Sequence, residues 1–151
     1  GGIHQSLKYN TIDSVVALAA HSTGTAIEFR CVVAESLPEV ECDSEQLKQV
    51  LLNLVSNSIE AAREGVIELH ARADESRAII TVRDRGAGLP PERQGQMFEP
   101  FFTTKEHGTG LGLAIAAKIV EQHGGTLSAS SEPGRGTDMV VQLPLRQAVS
   151  A

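Results

Sequence analysis

The longest helical pattern of hydrophobic residues lies between residues 43 and 62. It begins at Asp43-Ser44-Glu45, a typical helix start, because side-chain oxygens there can accept hydrogen bonds from the first free backbone amides. The buried face is formed by residues at intervals of three and four: Leu47, Val50, Leu51, Leu54 and Ser58. The pattern predicts one long amphipathic helix with a single buried face.

Two shorter patterns predict further helices. Leu111, Ile115 and Ile119 recur at a spacing of four, and Gly124-Gly125 supplies the glycine signal that ends a helix. A weaker apolar stripe between residues 11 and 20 predicts the other helix. We expect both to cover the same core as the long helix.

Alternating apolar and polar residues predict strands at residues 26–34, 66–73, 77–84, 126–131 and 137–145. The polar turn Asp74-Glu75-Ser76 joins two of these strands in a hairpin. Strands interleaved with helices indicate an α/β fold, and 151 residues fit a single domain. No repeat or internal linker interrupts the pattern.

Composition narrows the classes of function. The net charge is −6 without a basic cluster, and aromatic residues make up 3% of the chain, which argues against nucleic acid as a partner. The sequence has no apolar run of about 18 residues and no signal peptide, so we expect a cytoplasmic domain without direct membrane contact. Phosphate binding in such an acidic chain requires local devices such as backbone amides, a metal ion or single lysines.

Glycines alternate at Gly108, Gly110 and Gly112, directly before a predicted helix. Free amides and the positive end of the helix dipole meet at such a point, which suits phosphate. A glycine-rich turn before an amphipathic helix explains the same residues equally well. Lys105 lies in the preceding polar segment and is a candidate phosphate contact, although an isolated lysine more often faces solvent.

Two asparagines lie one turn apart on the flank of the long helix. Asn53 and Asn57 are poor helix formers, so their position beside a buried face calls for a reason. One reading is a pair of exposed amides. The other is a polar rim whose amide oxygens face a metal ion or a phosphate.

A carboxylate and two glycines end the second strand of the hairpin. Asp84 is followed by Gly86 and Gly88, where the backbone can approach a planar ligand without side-chain collision. The Asp84 carboxylate could accept a hydrogen bond from an exocyclic amine, which distinguishes adenine from guanine. A surface aspartate in a glycine turn is the common alternative.

Five segments in order resemble the catalytic and ATP-binding domain of a bacterial sensor histidine kinase of the GHKL superfamily. LKQVLLNLVSNSIEAA resembles the asparagine box, and DRGAGLP the first glycine box. MFEPFFTTK resembles the phenylalanine box, GTGLGLAIAAKIVEQHGG the second glycine box and GRGT a third. The PFFTTK segment with its short lid is similar to the nitrogen-regulation subgroup.

The resemblance implies a site for ATP and Mg²⁺. Asn57 would ligate Mg²⁺, Asp84 would bind the adenine amine directly and through water, and Thr137 would lie near the adenine. Asn53 and Lys105 would act in catalysis. The positions that match the family's nucleotide-binding residues are Asn53, Asn57, Asp84, Gly86, Gly88, Lys105, Gly108, Thr109, Gly110, Leu111, Gly112 and Thr137.

The implied fold is a two-layer α/β sandwich of the Bergerat type, with a mixed sheet covered by three helices and a short ATP lid. Residues 11–146 would form the catalytic ATP-binding domain. Residues 1–10 would be an upstream linker or remnant, and residues 147–151 a frayed tail.

The implied activity is transfer of the γ-phosphoryl group of Mg-ATP to a histidine. Gyrase-type ATPases carry a water-activating glutamate where this chain has Asn53, which favours transfer over hydrolysis; Glu60 stays open as a base. None of the chain's histidines has the setting of a phosphoacceptor, so the partners would be its own dimerisation domain and a response regulator. A GHKL-type ATPase and a nucleotide-sensing interaction domain are the alternatives.

Overall fold

The computed structural model describes residues 4–6, 15–18, 27–34, 39–62, 64–86 and 112–145. Its strands are β1 (His4–Ser6), β2 (Ile27–Val33), β3 (Glu39–Glu41), β4 (Gly65–Ala73), β5 (Arg77–Asp84), β6 (Thr126–Glu132) and β7 (Gly136–Pro144). Residues 15–18 are helical and are named α1. The longer helices are α2 (Ser44–Ala62) and α3 (Gly112–Gln122).

The sheet is mixed, as predicted. Five strands are hydrogen-bonded in the order β2-β4-β5-β7-β6. β2 and β4 are parallel, and the other neighbours are antiparallel. One face carries the core with α2 and α3, and the other carries mostly polar side chains together with a few apolar ones such as Val32, Ile79 and Val140. This arrangement confirms the predicted α/β fold.

The helices form where the apolar stripes predict them. In α2, Leu47, Val50, Leu51 and Leu54 are buried against the sheet. Asp43 caps the helix, because its Oδ1 accepts hydrogen bonds from the amides of Glu45 and Gln46.

α3 ends in a Schellman motif. Gly124 has φ +76° and donates its amide hydrogen to Glu121, while the Gly125 amide bonds to Val120. The predicted glycine signal is therefore confirmed as the end of this helix.

Two short strands were not expected. Residues 4–6, expected in a linker or remnant without pattern, form β1, which pairs antiparallel with β3. Strands of three residues are too short to display alternation, so the sequence pattern could not reveal them. The expected linker at residues 1–10 thus contains an element of the fold.

Several predicted features lie outside the described residues. They are the segment from Gly88 to Leu111, with Lys105, Gly108, Thr109 and Gly110, and the tail at residues 147–151. Within the described parts of the chain, no helix is both long and apolar enough to cross a membrane.

Candidate functional site

The buried polar side chains of the described residues converge at one end of the sheet. They are Ser58, Asp84, Ser131 and Thr137, with exposed fractions of 0%, 2%, 7% and 6%. Asp84 is the cross-strand partner of Thr137, which is also the partner of Ser131. Ser58 reaches the same place from α2. Since the remaining core is apolar, these residues mark the site.

Strand alternation aims Asp84 into the core. Ala78, Ile80, Val82 and Asp84 occupy alternate positions of β5, and all four are buried. The last of these positions, at the strand end, carries a carboxylate instead of a hydrocarbon side chain. The strand that supplies the core therefore also presents the acid.

The Asp84 carboxylate is only half satisfied. Its Oδ1 accepts a hydrogen bond from the Gly86 amide at 2.8 Å. Its Oδ2 and the Ser58 hydroxyl oxygen are buried and have no hydrogen-bond partner among the described residues. Such atoms usually bind water or a ligand, because an unsatisfied buried polar group is costly.

The surroundings of Asp84 also shift its ionisation. Burial raises the pKa of the carboxyl, whereas the hydrogen-bonded Gly86 amide lowers it. The nearby Ser58 hydroxyl and Thr137 amide also lower the pKa through their dipoles, although neither forms a hydrogen bond of good geometry with the carboxylate. The negative charge of Asp138 adds a smaller upward effect. The folded protein therefore holds a carboxylate that is costly to keep charged.

A hydroxyl pair lies beside this carboxylate. Ser131 Oγ is 2.8 Å from Thr137 Oγ1 and donates a hydrogen bond to the Gly136 carbonyl at 3.1 Å. Both hydroxyl groups are buried on the core face of β6 and β7. The pair thus extends the polar row begun by Asp84.

Two glycines allow the backbone to pack closely at the strand ends. A Cβ atom at Gly86 would collide with the Ala61 carbonyl of α2, and one at Gly136 would collide with the Asp84 carbonyl. Gly136 also has φ +101°, which favours glycine. Packing against α2 therefore requires glycine at position 86. The expected approach of a base at Gly86 stays a prediction.

The predicted asparagines lie on the helical side of the site. Asn53 Nδ2 donates a hydrogen bond to the carbonyl of Gly112 at 3.1 Å, which ties α2 to the first residue of α3. Asn57 is half-buried one turn further along α2. Its amide oxygen is a ligand type that Mg²⁺ accepts. Among the described residues, no group of three or more His, Cys, Asp or Glu side chains could hold a metal ion.

A second contact fixes the other end of α3. The Asp43 amide donates to Nε2 of His123 at 3.1 Å, and His123 Nδ1 lies 2.8 Å from the Ile119 carbonyl. Since Nε2 accepts, Nδ1 carries the proton and donates to Ile119. α3 is therefore held against α2 at both ends, and the two helices run antiparallel.

The outer face of the sheet has a different polar row. Arg30, Glu68, Arg83 and Asp138 are successive cross-strand partners of alternating charge. Arg83 donates to both carboxylate oxygens of Asp138, at 2.8 and 2.9 Å. Like Asp84, Asp138 lies near a strand end, but it is fully paired.

An open depression of about 550 Å³ adjoins this outer row. Its further arginines also face carboxylates, with Arg135 at 3.3 Å from Glu132 and Arg85 at 3.8 Å from Glu68. Because these charges compensate one another, the depression is a weaker candidate site than the buried row.

The structure brings together the predicted residues Asp84, Gly86 and Thr137, and it joins Asn53 to Gly112. The predicted residues Gly88, Lys105, Gly108, Thr109, Gly110 and Leu111 lie outside the described residues. Sequence reasoning missed the site roles of Ser58, Ser131 and Gly136. For Ser58, the available signal was the occurrence of a polar residue at a buried position of the apolar stripe of α2.

Comparison with known proteins yields a consistent set of relatives. The family described as histidine kinase-, DNA gyrase B-, and HSP90-like ATPase matches residues 42–147. Sensor histidine kinase ZraS of Escherichia coli (strain K12) is 38% identical over 144 residues, which cover 93% of this chain and 31% of that protein. This chain therefore spans about a third of that relative's length.

Solved structures agree in fold. The catalytic domain of histidine kinase ThkA has a TM-score of 0.85 at 32% identity, with 96% of both chains covered. Full-length ShkA in complex with AMPPNP has a TM-score of 0.83 at 30% identity, with 97% of this chain and 32% of that chain covered. The fold described above is thus that of histidine kinase catalytic domains.

Proposed function

The chain belongs to the family of histidine kinase-, DNA gyrase B-, and HSP90-like ATPases, and on that premise we propose that it is the ATP-binding kinase domain of a sensor histidine kinase. In this proposal it binds Mg-ATP and transfers the γ-phosphoryl group to a histidine on a separate dimerisation domain. A response regulator is the downstream partner, and the domain acts on the cytoplasmic side.

The observation that carries the proposal is the unpartnered Oδ2 of Asp84. This oxygen is buried beside the unpartnered hydroxyl oxygen of Ser58, at the end of an otherwise apolar core. A carboxylate oxygen accepts hydrogen bonds, so its natural ligand is a donor such as the exocyclic amine of adenine. Guanine has a carbonyl at the corresponding position and would leave two acceptors facing each other.

The phosphates belong at the other side of the site, near the start of α3. α3 begins at Gly112, and Asn53 holds that residue through its carbonyl. A helix start offers free amides and positive dipole charge to phosphate oxygens. Lys105 and the residues from Gly108 to Leu111 are proposed to complete these contacts.

The residues present fit a magnesium ion. Mg²⁺ in nucleotide sites takes one or two protein oxygens and completes its shell with phosphates and water. Asn57 would supply the protein oxygen. When bound, the ion would neutralise phosphate charge and so favour transfer.

The proposed chemistry breaks the bond between the γ-phosphorus and the β–γ bridging oxygen and forms a bond from phosphorus to an imidazole nitrogen. ADP leaves with the bridging oxygen. The protein's contribution is to orient the γ-phosphoryl group and to compensate its charge. Asn53 cannot accept a proton from water at neutral pH, which disfavours hydrolysis. Glu60 is exposed on α2 and is the residue to test as a base.

A transfer experiment with radiolabelled ATP tests the proposal. The chain is incubated alone, with a separate domain that carries the phosphoacceptor histidine of the full-length protein, and with that domain after its histidine is changed to alanine. We expect acid-labile label on the intact acceptor domain alone. High domain concentrations, near the millimolar range that a tether normally provides, should restore part of the rate.

Other outcomes would favour the alternatives. Steady release of phosphate by the chain alone would assign a GHKL-type ATPase, and Glu60→Gln would then test the base. Binding of ATP without transfer or release would indicate a nucleotide-sensing domain. Failure to bind ATP would contradict the assignment of Asp84.

A further inference from the structure

His123 joins the end of α3 to the start of α2 through both nitrogens of its ring. Nε2 accepts a hydrogen bond from the backbone amide of Asp43 at 3.1 Å, and Nδ1 donates to the carbonyl of Ile119 at 2.8 Å. Asp43 is also the residue that caps α2. One side chain therefore serves two helix ends, and we name this pair of contacts the His123 clamp.

The His123 clamp requires the neutral form of the ring. A backbone amide can only donate, so Nε2 must offer a lone pair to Asp43. A protonated ring carries a hydrogen on each nitrogen, and its Nε2–H would face the N–H of Asp43. Histidine changes between these two forms between about pH 5 and about pH 8. Acid should therefore open the clamp on the side of Asp43.

The crevice beside the ring is lined by apolar side chains of α2, α3 and β7, which are Leu47, Val50, Ile119, Val120 and Leu143. The titratable and charged side chains on the neighbouring segments are Cys42, Asp43, Glu45, Lys48, Lys118 and Glu121. The Asp43 carboxylate caps α2, and Glu45 pairs with Lys48 at 3.7 Å. Among the described residues, no carboxylate forms an ion pair with the ring of His123. No ion pair is therefore in place to substitute for the Asp43 contact.

The helix that the clamp holds is the one whose start is proposed to meet the phosphates. α3 has 11 residues and is about 16 Å long. Asn53 holds its first residue, Gly112, and the His123 clamp holds its end. Because α3 is short, contacts at both ends fix its tilt and the direction of its first amides. Opening the clamp removes the polar contact at one end and lets the helix pivot.

We propose that His123 is a positioning residue for the proposed phosphate site, because its neutral ring holds α3 at the tilt that presents the helix start to the phosphates. The inference rests on the proposed binding of ATP. Acid then weakens ATP binding by acting at the end of α3 that is remote from the nucleotide. Affinity for adenosine, which has no phosphate, does not depend on the clamp.

Two amide substitutions separate the clamp from titration of the ring. In His123→Gln, the amide oxygen can take the place of Nε2 and accept from Asp43, and it does not titrate. In His123→Asn, the shorter amide reaches only the place of Nδ1, so the contact with Asp43 is lost at every pH. His70→Gln is the matched control, since His70 is a half-exposed histidine on the outer face of the sheet.

Calorimetry measures the affinities for Mg-ATP and for adenosine at about pH 8 and at about pH 5.5. At the higher pH, His123→Gln should match the parent within about twofold, and His123→Asn should bind ATP about fivefold more weakly, the size of one hydrogen bond. At the lower pH, the parent and His70→Gln should both bind ATP about fivefold more weakly than His123→Gln. Titration of the nucleotide is common to all variants and cancels in these ratios.

Three calorimetric results would overturn the inference. They are a ratio of parent to His123→Gln affinity that is the same at both pH values, a His123→Asn protein that matches the parent at about pH 8, and an equal loss of adenosine affinity, which would indicate a general loss of structure. Circular dichroism and thermal unfolding establish that each variant is folded.

Hydrogen exchange of the α3 amides without nucleotide tests the clamp independently of binding. Exchange should be faster in His123→Asn than in His123→Gln at the same pH, and equal exchange would contradict the clamp. A parent that binds ATP at neither pH would contradict the proposed function itself. Normal ATP binding that responds to none of these changes would overturn the role of His123 alone.

Discussion

Two carboxylates on opposite faces of the sheet show how the same strands serve two purposes. Asp138 on the outer face receives two hydrogen bonds from Arg83, while Asp84 on the inner face receives one and keeps Oδ2 unpartnered among the described residues. Asp138 is half-exposed, so water could satisfy it, yet it is fully paired. Asp84 is 2% exposed and half satisfied.

This contrast indicates that the functional site lies on the inner face of the sheet. Neighbouring residues alternate between the faces, so Arg83 adjoins Asp84 and Thr137 adjoins Asp138 along the chain. On the outer face, Arg83 and Asp138 satisfy each other's hydrogen-bonding groups, as expected of residues that only stabilise the sheet. On the inner face, Oδ2 of Asp84 lacks a hydrogen-bond partner among the described residues. Leaving a buried carboxylate oxygen unsatisfied costs free energy, which indicates that a ligand supplies the missing hydrogen bond.

The largest effect is expected when each of the two carboxylates is replaced by a neutral amide. Asp84→Asn should weaken ATP binding by about 2–4 kcal/mol, because the adenine amine loses a charged acceptor and meets a donor. Asp138→Asn is the matched control and should change ATP affinity by less than about threefold. Calorimetry measures both. An Asp84→Asn protein that binds ATP within about threefold of the parent would disprove the role of Asp84.

ATP affinity measured with and without Mg²⁺ tests the role of Asn57 on the inner face. Asn57→Ala should lower ATP affinity about tenfold in Mg²⁺ and by less than about twofold in EDTA, because Asn57 is proposed to act through the ion. Ser56→Ala, at the exposed neighbouring position of α2, is the control. Equal weakening in both buffers would assign Asn57 to packing.

Asp84→Asn should weaken ATP binding but should stabilise the folded protein without nucleotide. Burial raises the pKa of Asp84 in the folded protein above its ordinary value of 3.8. The folded protein therefore binds this proton more tightly than the unfolded chain, and ionisation of Asp84 lowers the free energy of unfolding above the folded-state pKa. Asp84→Asn should raise the free energy of unfolding at neutral pH by about 1 kcal/mol.

That gain should shrink as the pH falls through the folded-state pKa of Asp84, and it should vanish near the unfolded-state pKa. Urea unfolding at several pH values without nucleotide measures it. Asp138→Asn should show no such gain. A less stable Asp84→Asn protein at neutral pH would mean that the carboxylate is better satisfied than its contacts indicate.

The smallest effect is expected on the outer face. Arg83→Ala should lower the free energy of unfolding by no more than about 1 kcal/mol, because the pair is exposed and water replaces the lost contact. ATP affinity should stay within about twofold of the parent. A large loss of ATP affinity would show that the two faces are coupled through β5.

The fold followed from local patterns. The stripe of α2 and the alternation of β4 and β5 each depend on residues close in sequence, so their positions could be predicted within about a residue. β1 and β3 form through pairing between distant segments and leave no local signal. The packing requirement for glycine at position 86 also left no local signal, because it depends on the approach of the Ala61 carbonyl from α2.

Part of the site followed from the resemblance of motifs, and part required the structure. Asp84 and Thr137 were predicted as site residues, and their direct pairing emerged with the strand register. Ser131 looked like an ordinary strand residue, because its hydroxyl contact depends on that register. The spacing of Ser58 fits the apolar stripe of α2, and only the fold brings its hydroxyl close to Asp84.

The strand order has a consequence for synthesis of the protein. β7 is the last described strand in the sequence, yet it lies inside the sheet between β5 and β6. Until β7 has left the ribosome, β5 keeps an open edge and Asp84 lacks Thr137 beside it. A nascent chain that stops before Gly136 therefore cannot complete the buried polar row. The proposed nucleotide binding would thus be acquired only after β7 enters the sheet, and would distinguish chains that contain β7 from chains truncated before it.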